Sequence, residues 1–515
     1  MHEIITLQLG QLSNYAATHF WNTQESYFTY SDQDESLVNH NVHWRPGVAL
    51  DGTETFLPRT VIYDLKGGFG SLRKINALYD ASQDSAPTQL WDGSPHVHNQ
   101  PQIDQSAYQR SLDQGTPAPT LTTSDVRYWS DFSRVFYHPK SLNQLYDYEL
   151  NSSIMPFDKW SLGRELFDTL DKEHDIVDRD FRPFVEEADQ MQGLQIVTTI
   201  DDAWGGFATE YVEKLRDEYG KAAIWVWGLQ SPMPAARIDQ KRLQMSNTAR
   251  TVKDLSENAS MLVPMALPQT GLSPNICIDR QSPWHTTAVL ATAIETAGLA
   301  TRLHAVTGVG LKTTLADLAS GLNLRGKQTI SRLQMSIRGL PSDSAVDLPT
   351  FETTHEGGGT DDTILDTNFF DMLRVNPAAS RGRNRTGHVP HFFGHSTTTR
   401  GLPLPVDNAD SPMPRPRAAL VETSTQRFHT AKRFPILDSF PRILVEESGR
   451  TPFEDLAVKT SLSTDTSVST AMRAMRTTVA WTIDLEDRED ISNELADLEE
   501  AYREGWSSGS DDGDD

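Results

Sequence analysis

The chain has 515 residues, of which 46 are basic and 71 acidic, for a formal net charge of −25. Its one cysteine, Cys277, excludes an internal disulfide, a cysteine-based zinc site and an iron–sulfur cluster. The acidic balance argues against broad nucleic-acid binding, which needs clustered Lys and Arg to meet phosphate.

Glu3–Leu9 (EIITLQL) is short and β-rich, and Gly10 follows it. Asn14–Trp21 then has the spacing of a helix that buries Tyr15, Ala16, Phe20 and Trp21, so the chain opens as strand, glycine turn, helix. Thr60–Leu65 (TVIYDL) is a second buried strand, closed by the glycine-rich turn Lys66–Gly70 (KGGFG). From about Ala81 to Asp125 the composition turns to Gln, Ser, Pro and Asp, which predicts a long surface insertion or disorder. Gly163–Glu187 is mostly helical in pattern, with a break near Pro183. Gln192–Ile200 reads as a strand, Gly205–Tyr219 as an amphipathic helix with Phe207, Tyr211, Leu215 and Tyr219 on one face, and Ala223–Leu229 (AIWVWGL) as another buried strand. Apolar strands alternating with helices predict an α/β fold with a parallel, doubly wound sheet.

Thr286–Gly298 reads as a core helix within 281–300, and Leu315–Leu340 as helical in two parts. Val346–Arg417 is loop-rich and holds His355–Thr360 (HEGGGT) and the Pro-rich Leu402–Arg417; a strand-like Phe434–Val445 follows. Asp487–Trp506 is an acidic helix candidate, and Ser507–Asp515 (SSGSDDGDD) an acidic tail. Glu486–Asp515 alone carries thirteen acids against Arg488 and Arg503, a net −11 that suits a solvated, partner-binding surface or a solubilising tail. The expected organisation is a nucleotide-binding-type domain over 1–280 with a polar insertion at about 81–125, the core helix at 281–300, a second domain over 301–450 with an insertion at about 346–417, and a C-terminal strand and helical region over 451–515.

No apolar run reaches the length of about 20 residues that a membrane span needs. Met1–Trp44 has no Lys or Arg and holds Glu3, Glu25, Asp32, Asp34 and Glu35, the opposite of a cleavable mitochondrial presequence. A role at an organelle is therefore expected on its cytosolic side.

Gly10 and Gly67–Gly70 fall where parallel strands end, the usual ligand edge of such a sheet, and glycine-turn N–H groups favour phosphate. The same glycines also serve turn geometry alone. Asp201–Gly206 (DDAWGG) occupies a third strand-to-helix junction, where two carboxylates and an indole oppose a triphosphate. Asp201 and Asp202 are expected to cap the helix, with magnesium coordination as the alternative. His388, His391 and His395 (HVPHFFGH), like His96 and His98, lack metal-ligand spacing and read as solvated or aromatic-packed. No GxSxG, HExxH, Walker A or GxGxxG motif is present.

In this order the junctions resemble the tubulin superfamily. Met1–Trp21 resembles the tubulin start with its G-Q-x-x-N first nucleotide loop, Pro58–Arg73 the PRAVxVDLEP segment, Gln192–Tyr219 the stretch with the GGGTGSG signature, Asn275–Asp279 (NICID) the Y-C-I-D-N loop, and Gly321–Asn323 (GLN) the loop that carries the catalytic acid. Residues 3–25, Trp129–Leu142 (WSDFSRVFYHPKSL) and Leu215–Tyr219 are more closely similar to the Misato/DML family of tubulin-like proteins. That resemblance implies a tubulin-like fold and a protein associated with mitochondria and cytoplasm, needed for mitochondrial distribution and mitochondrial DNA inheritance. It also implies protein partners, among them tubulin, the chaperonin that folds it, or proteins of the mitochondrial outer surface. The nucleotide loops would be vestigial at Gly10, Gln11, Asn14, Gly67, Gly68, Gly205 and Gly206, with GTP as the ligand if one is bound. The departures weaken the site: Ile200–Gly206 (IDDAWGG) replaces the phosphate signature, Arg280 stands at the base-reading asparagine, and Leu324 and Arg325 stand where the catalytic acid belongs. The expectation is a tubulin-like scaffold without efficient GTP hydrolysis; the alternative is a divergent, filament-forming GTPase.

Overall fold

The computed structural model describes residues 3–29, 36–48, 54–72, 103–232, 237–269, 272–273, 275–304, 313–338, 367–372, 390–401, 424–445, 455–483 and 485–503. In chain order its elements are β1 (Glu3–Leu9), α1 (Gln11–Glu25), β2 (Trp44–Val48), β3 (Glu54–Pro58), β4 (Thr60–Lys66), α2 (Ala107–Gln114), β5 (Leu142–Glu149), α3 (Trp160–His174), α4 (Arg182–Glu186), β6 (Met191–Thr199), α5 (Ala203–Glu218), β7 (Ala223–Leu229), α6 (Ile238–Asn258), β8 (Met261–Met265) and α7 (Pro283–Ala297). There follow α8 (Leu315–Leu322), β9 (Arg332–Arg338), β10 (Thr367–Asn368), β11 (Phe392–Arg400), β12 (Ser424–Thr430), β13 (Phe434–Pro435), β14 (Asp455–Asp465), α9 (Ser467–Thr482) and α10 (Leu485–Ala501).

The first sheet runs β5-β4-β1-β6-β7-β8 and is parallel throughout. Strand direction of travel across the sheet reverses between β1 and β6, the crevice in which open α/β sheets bind ligands. Alternating side chains feed two cores: Ile5, Leu7 and Leu9 of β1 join Phe207, Tyr211 and Leu215 of α5, whereas Ile4 joins Ile62, Trp225 and the helices α1 and α7. The second sheet, β10-β9-β14-β11-β12, is antiparallel apart from the parallel pair β11 and β12. The sheets meet where Leu262 of β8 bridges Ile330, with Leu262 N–H donating to Thr329 O at 2.7 Å and Ser331 N–H to Leu262 O at 2.9 Å.

The helix α7 lies between α1 and the second sheet, buried along nearly its whole length. Its one charged side chain, Glu295, is fully buried and gathers partners from distant segments. Arg400 of β11 pairs with it, Arg302 Nη2 donates to it at 3.2 Å, and Tyr27 OH donates at 2.8 Å. Arg400 also donates to Tyr27 OH at 2.9 Å and to the backbone oxygens of Lys432 and Arg433. This charged knot ties α1, α7 and the second sheet together.

Several elements differ from the sequence reading. Within 81–125, Ala107–Gln114 is a helix capped by Ser106, with Tyr108 buried and donating to Asp438 at 2.8 Å. The Gly163–Glu187 break falls at Asp175, held at φ 50°, before Pro183; the proline sits in the first turn of α4, where it lacks nothing a helix needs. Arg332–Arg338 is a strand rather than helix, because its alternation lays Leu333, Met335 and Ile337 on one face against α7. Strand β11 crosses the region read as loop at 346–417, and only Phe434–Pro435 of the strand-like 434–445 is extended. The acidic helix is docked: Ile491, Leu495 and Tyr502 are buried, and Asp487 and Asp490 pair with Arg250 and Lys253 of α6. The motif HEGGGT, the histidines His96, His98 and His388, and the tail 507–515 lie outside the described residues.

Candidate functional site

At the switch point the turn after β1 faces the turn after β6. Gly10 takes φ 85°, a left-handed conformation that favours glycine, and leads into α1 with no side chain capping the helix. Gln11 is half-buried at the first position of that helix. Such a helix N-terminus offers free N–H groups to an anion. The space in front of Gly10 holds the indole of Trp204: a Cβ built on Gly10 would lie 2.5 Å from Trp204 Nε1 and 2.6 Å from Cδ1. Trp204 is buried, held edge-on by Phe157 and Phe207 at centroid distances of 5.3 and 5.6 Å.

Asn14 is fully buried, and its amide donates to Tyr63 O at 3.2 Å and to Asp64 Oδ2 at 2.9 Å. Asp64 also accepts from Trp129 Nε1 at 3.0 Å and from Leu65 N–H at 2.9 Å. Burial pushes its carboxyl up to about 6, against these three donors, which pull it down. Gly67, at φ 87°, is exposed and Gly68 buried; a side chain on Gly68 would run into the Asp64 carboxylate. The turn therefore closes over Asp64, and the motif residue Asn14 is committed to the same network.

Gly205 and Gly206 lie inside α5 rather than in a loop. A Cβ on Gly205 would meet Thr251 of α6, and one on Gly206 would meet the carbonyl of Trp160 in α3. Gly163 of α3 faces the carbonyl of Ala203 in the same way, so these glycines let three helices approach closely. Asp202 is the N-cap of α5, accepting from Trp204 N–H at 2.9 Å and from Thr199 Oγ1 at 2.5 Å. Burial, and then the neighbouring Asp201 charge, push its carboxyl up to about 7. Asp201 does not cap the helix; it accepts from Ser231 N–H at 3.0 Å and Ser231 Oγ at 3.2 Å. Among the described residues no group of three or more His, Cys, Asp or Glu could hold a metal ion.

The remaining motif positions stand apart from the crevice chemistry. Arg280 donates to the carbonyls of Pro268 and Gln269 at 2.8 and 3.2 Å. Asn323 folds its own turn, accepting from Gln328 N–H at 2.7 Å, while Arg325 lies over the Phe393 ring at 4.8 Å and Leu324 is exposed. His395 shares a hydrogen bond with Ser461 Oγ at 2.6 Å and lies near Phe392. The anchoring roles of Asp64 and Trp129 were not read from sequence; a lone acid ending an apolar strand was the one available signal.

The doubly wound parallel sheet with glycine turns at its switch point is the architecture of a nucleotide-binding-type α/β protein, and family comparison identifies it as tubulin-like. A Misato Segment II tubulin-like domain matches residues 2–114 and a Tubulin domain residues 118–303. The chain is 50% identical to Protein DML1 of Gibberella zeae over 518 residues and 48% identical to Protein dml-1 of Neurospora crassa over 545, covering all of both chains in each case. Similarity extends to Protein dml1 of Schizosaccharomyces pombe, 33% identical over 361 residues, covering 66% of this chain and 74% of that protein. The chain belongs to the Misato/DML family of tubulin-like proteins. No helix among the described residues is long and apolar enough to cross a membrane.

Proposed function

We propose that the chain is a non-catalytic tubulin-like protein that acts through protein partners in the distribution of mitochondria and the inheritance of mitochondrial DNA, at the cytosolic face of the organelle and in the cytoplasm. The mitochondrial role rests on family resemblance. The observation that supports the non-catalytic part is the Trp204 indole lying against Gly10, where a phosphate would need open backbone. The buried Asp201 and the partly buried Asp202 add acidic side chains on the same side of the crevice, unfavourable to a polyphosphate. Titration of the purified chain with labelled GTP, with and without magnesium, is expected to show no saturable binding; micromolar binding with turnover would overturn the reading. Tagged protein on intact mitochondria is expected to be degraded by added protease, and protection inside the matrix would contradict the location.

The second reading, a divergent GTP-binding and filament-forming GTPase, is favoured by the uncapped start of α1 behind Gly10. It predicts magnesium-dependent GTP binding that sediments the protein into polymers.

A further inference from the structure

An open groove of about 530 Å³ runs between α9 and α10, lined by Arg473, Arg476, Thr477, Ser492, Glu499 and Arg503. Arg473 and Arg476 come from one face of α9, Ser492 and Glu499 from one face of α10, and Arg503 follows two residues past that helix. The Glu499 carboxylate is nearly sealed off, at 3% exposure, and accepts from all three arginines: Arg473 Nε at 2.9 Å, Arg503 Nη2 at 3.1 Å and Arg476 Nη1 at 3.0 Å. Burial raises this carboxyl, but the arginine hydrogen bonds outweigh it and hold the group below its ordinary range. One bidentate arginine is enough to neutralise and orient a carboxylate. Three leave two positive charges in surplus, and a guanidinium carries five donors, most of which Glu499 does not use. The side chains of Arg473 and Arg503 are 64% and 58% exposed, which leaves them accessible to a ligand.

That surplus stands on a chain whose net charge is −25. The lining has no apolar side chain, which excludes an amphipathic helix as occupant, and the groove is several times larger than a single phosphate or carboxylate. Thr477 and Ser492 add hydroxyls at its walls. The strongly negative chain as a whole disfavours an extended polyanion such as nucleic acid or an anionic membrane, but leaves room for a short acidic segment at this local cationic site. We propose that this groove binds an acidic peptide segment of a protein partner, its carboxylates paired with Arg473, Arg476 and Arg503. The inference deepens the partner-based reading above and rests on it, but is tested without nucleotide.

The test is fluorescence anisotropy of the full chain with a labelled octapeptide of alternating Asp and Glu, beside its Asn/Gln counterpart. Binding of the acidic peptide alone is expected, weakening as salt rises. Arg473→Glu, at an exposed position whose loss leaves Glu499 two partners, is expected to cut affinity by about tenfold or more. Glu499→Gln, which raises the local surplus, is expected to tighten binding several-fold, an effect a purely structural role for Glu499 would not give. Equal binding of the neutral peptide, undiminished binding by Arg473→Glu, or saturable binding of inorganic phosphate with none of the acidic peptide would each overturn the proposal. The GTP titration is read separately on the same preparation: turnover would defeat the non-catalytic reading while peptide binding would stand.

Discussion

The crevice at the first sheet's switch point and the knot around Glu295 are both buried and polar, yet they are built on opposite principles. In the crevice, space is taken by an uncharged ring, Trp204, and by the acids Asp64 and Asp202, whose carboxyls burial pushes up to about 6 and about 7. In the knot, one carboxylate is shared by two arginines and a tyrosine drawn from segments far apart in sequence. The first is a filled vacancy, local to two turns; the second is a joint between layers. Removing a part of each should therefore have different consequences.

The largest effect is expected from Glu295→Ala, which leaves Arg302 and Arg400 buried without their counter-charge. A loss of about 3–5 kcal/mol is the usual scale for breaking such a group, and urea denaturation monitored by tryptophan fluorescence would measure it. A loss below about 1 kcal/mol would mean that the knot is not a joint. Next comes Trp204→Gly, with a cost of about 3 kcal/mol for the lost ring. The same variant opens the front of Gly10, so it is expected to bind GTP more tightly than the natural protein; a folded variant with unchanged GTP affinity would show that the indole is not what closes the crevice.

The third concerns pH. Asp202 has a folded value of about 7, above its unfolded value near 3.9, so the folded state keeps a proton that the unfolded state releases. This contribution is full below about pH 4 and is lost as pH rises toward 7, at up to about 1.4 kcal/mol per pH unit. Asp202→Asn keeps an acceptor for the cap and removes the titration. The difference between the two melting curves should shrink and then reverse in favour of the variant from pH 5 to pH 8, and a difference independent of pH would refute the assignment. The smallest is Asn14→Ala, about 1–2 kcal/mol from the donor lost to Asp64, whether or not GTP is present. Stabilisation of the natural protein by GTP that vanishes in this variant would instead return Asn14 to nucleotide chemistry.

The same contrast explains what the sequence could disclose. AIWVWGL is a continuous apolar run, as a strand buried on both faces tends to be, and EIITLQL, although it buries Glu3, Thr6 and Gln8, keeps enough Ile and Leu to be legible as a strand as well. Helix α6 was not, because the face it buries is made largely of Asn247, Thr248, Thr251 and Ser256 beside a few apolar residues. Strands β11 and β12 (FFGHSTTTR and STQRFHT) are rich in Ser, Thr and His, and the pairing of β11 with β14 on one side and β12 on the other lies in register rather than in composition. At the candidate site the glycines were visible, but their employment was not: the same GG serves a phosphate loop or a helix crossing, and only the carbonyl of Trp160 above Gly206 distinguishes them. Glu295 is a lone acid in a largely apolar helix, and neither it nor Arg400, its counterpart 105 residues away, carries a sequence mark of the pairing.

The hydroxyl of Tyr502 both receives the N–H of Ile330, at 2.6 Å, and donates to its carbonyl, at 2.8 Å, across 172 residues of sequence. Ile330 is the residue that bridges the two sheets at Leu262. The segment that carries Tyr502 therefore closes the seam between the sheets from the far end of the sequence, and Ile491 and Leu495 of the preceding helix are buried as well. Contacts of such large sequence separation are slow to form, which places the completion of this seam among the later steps of folding.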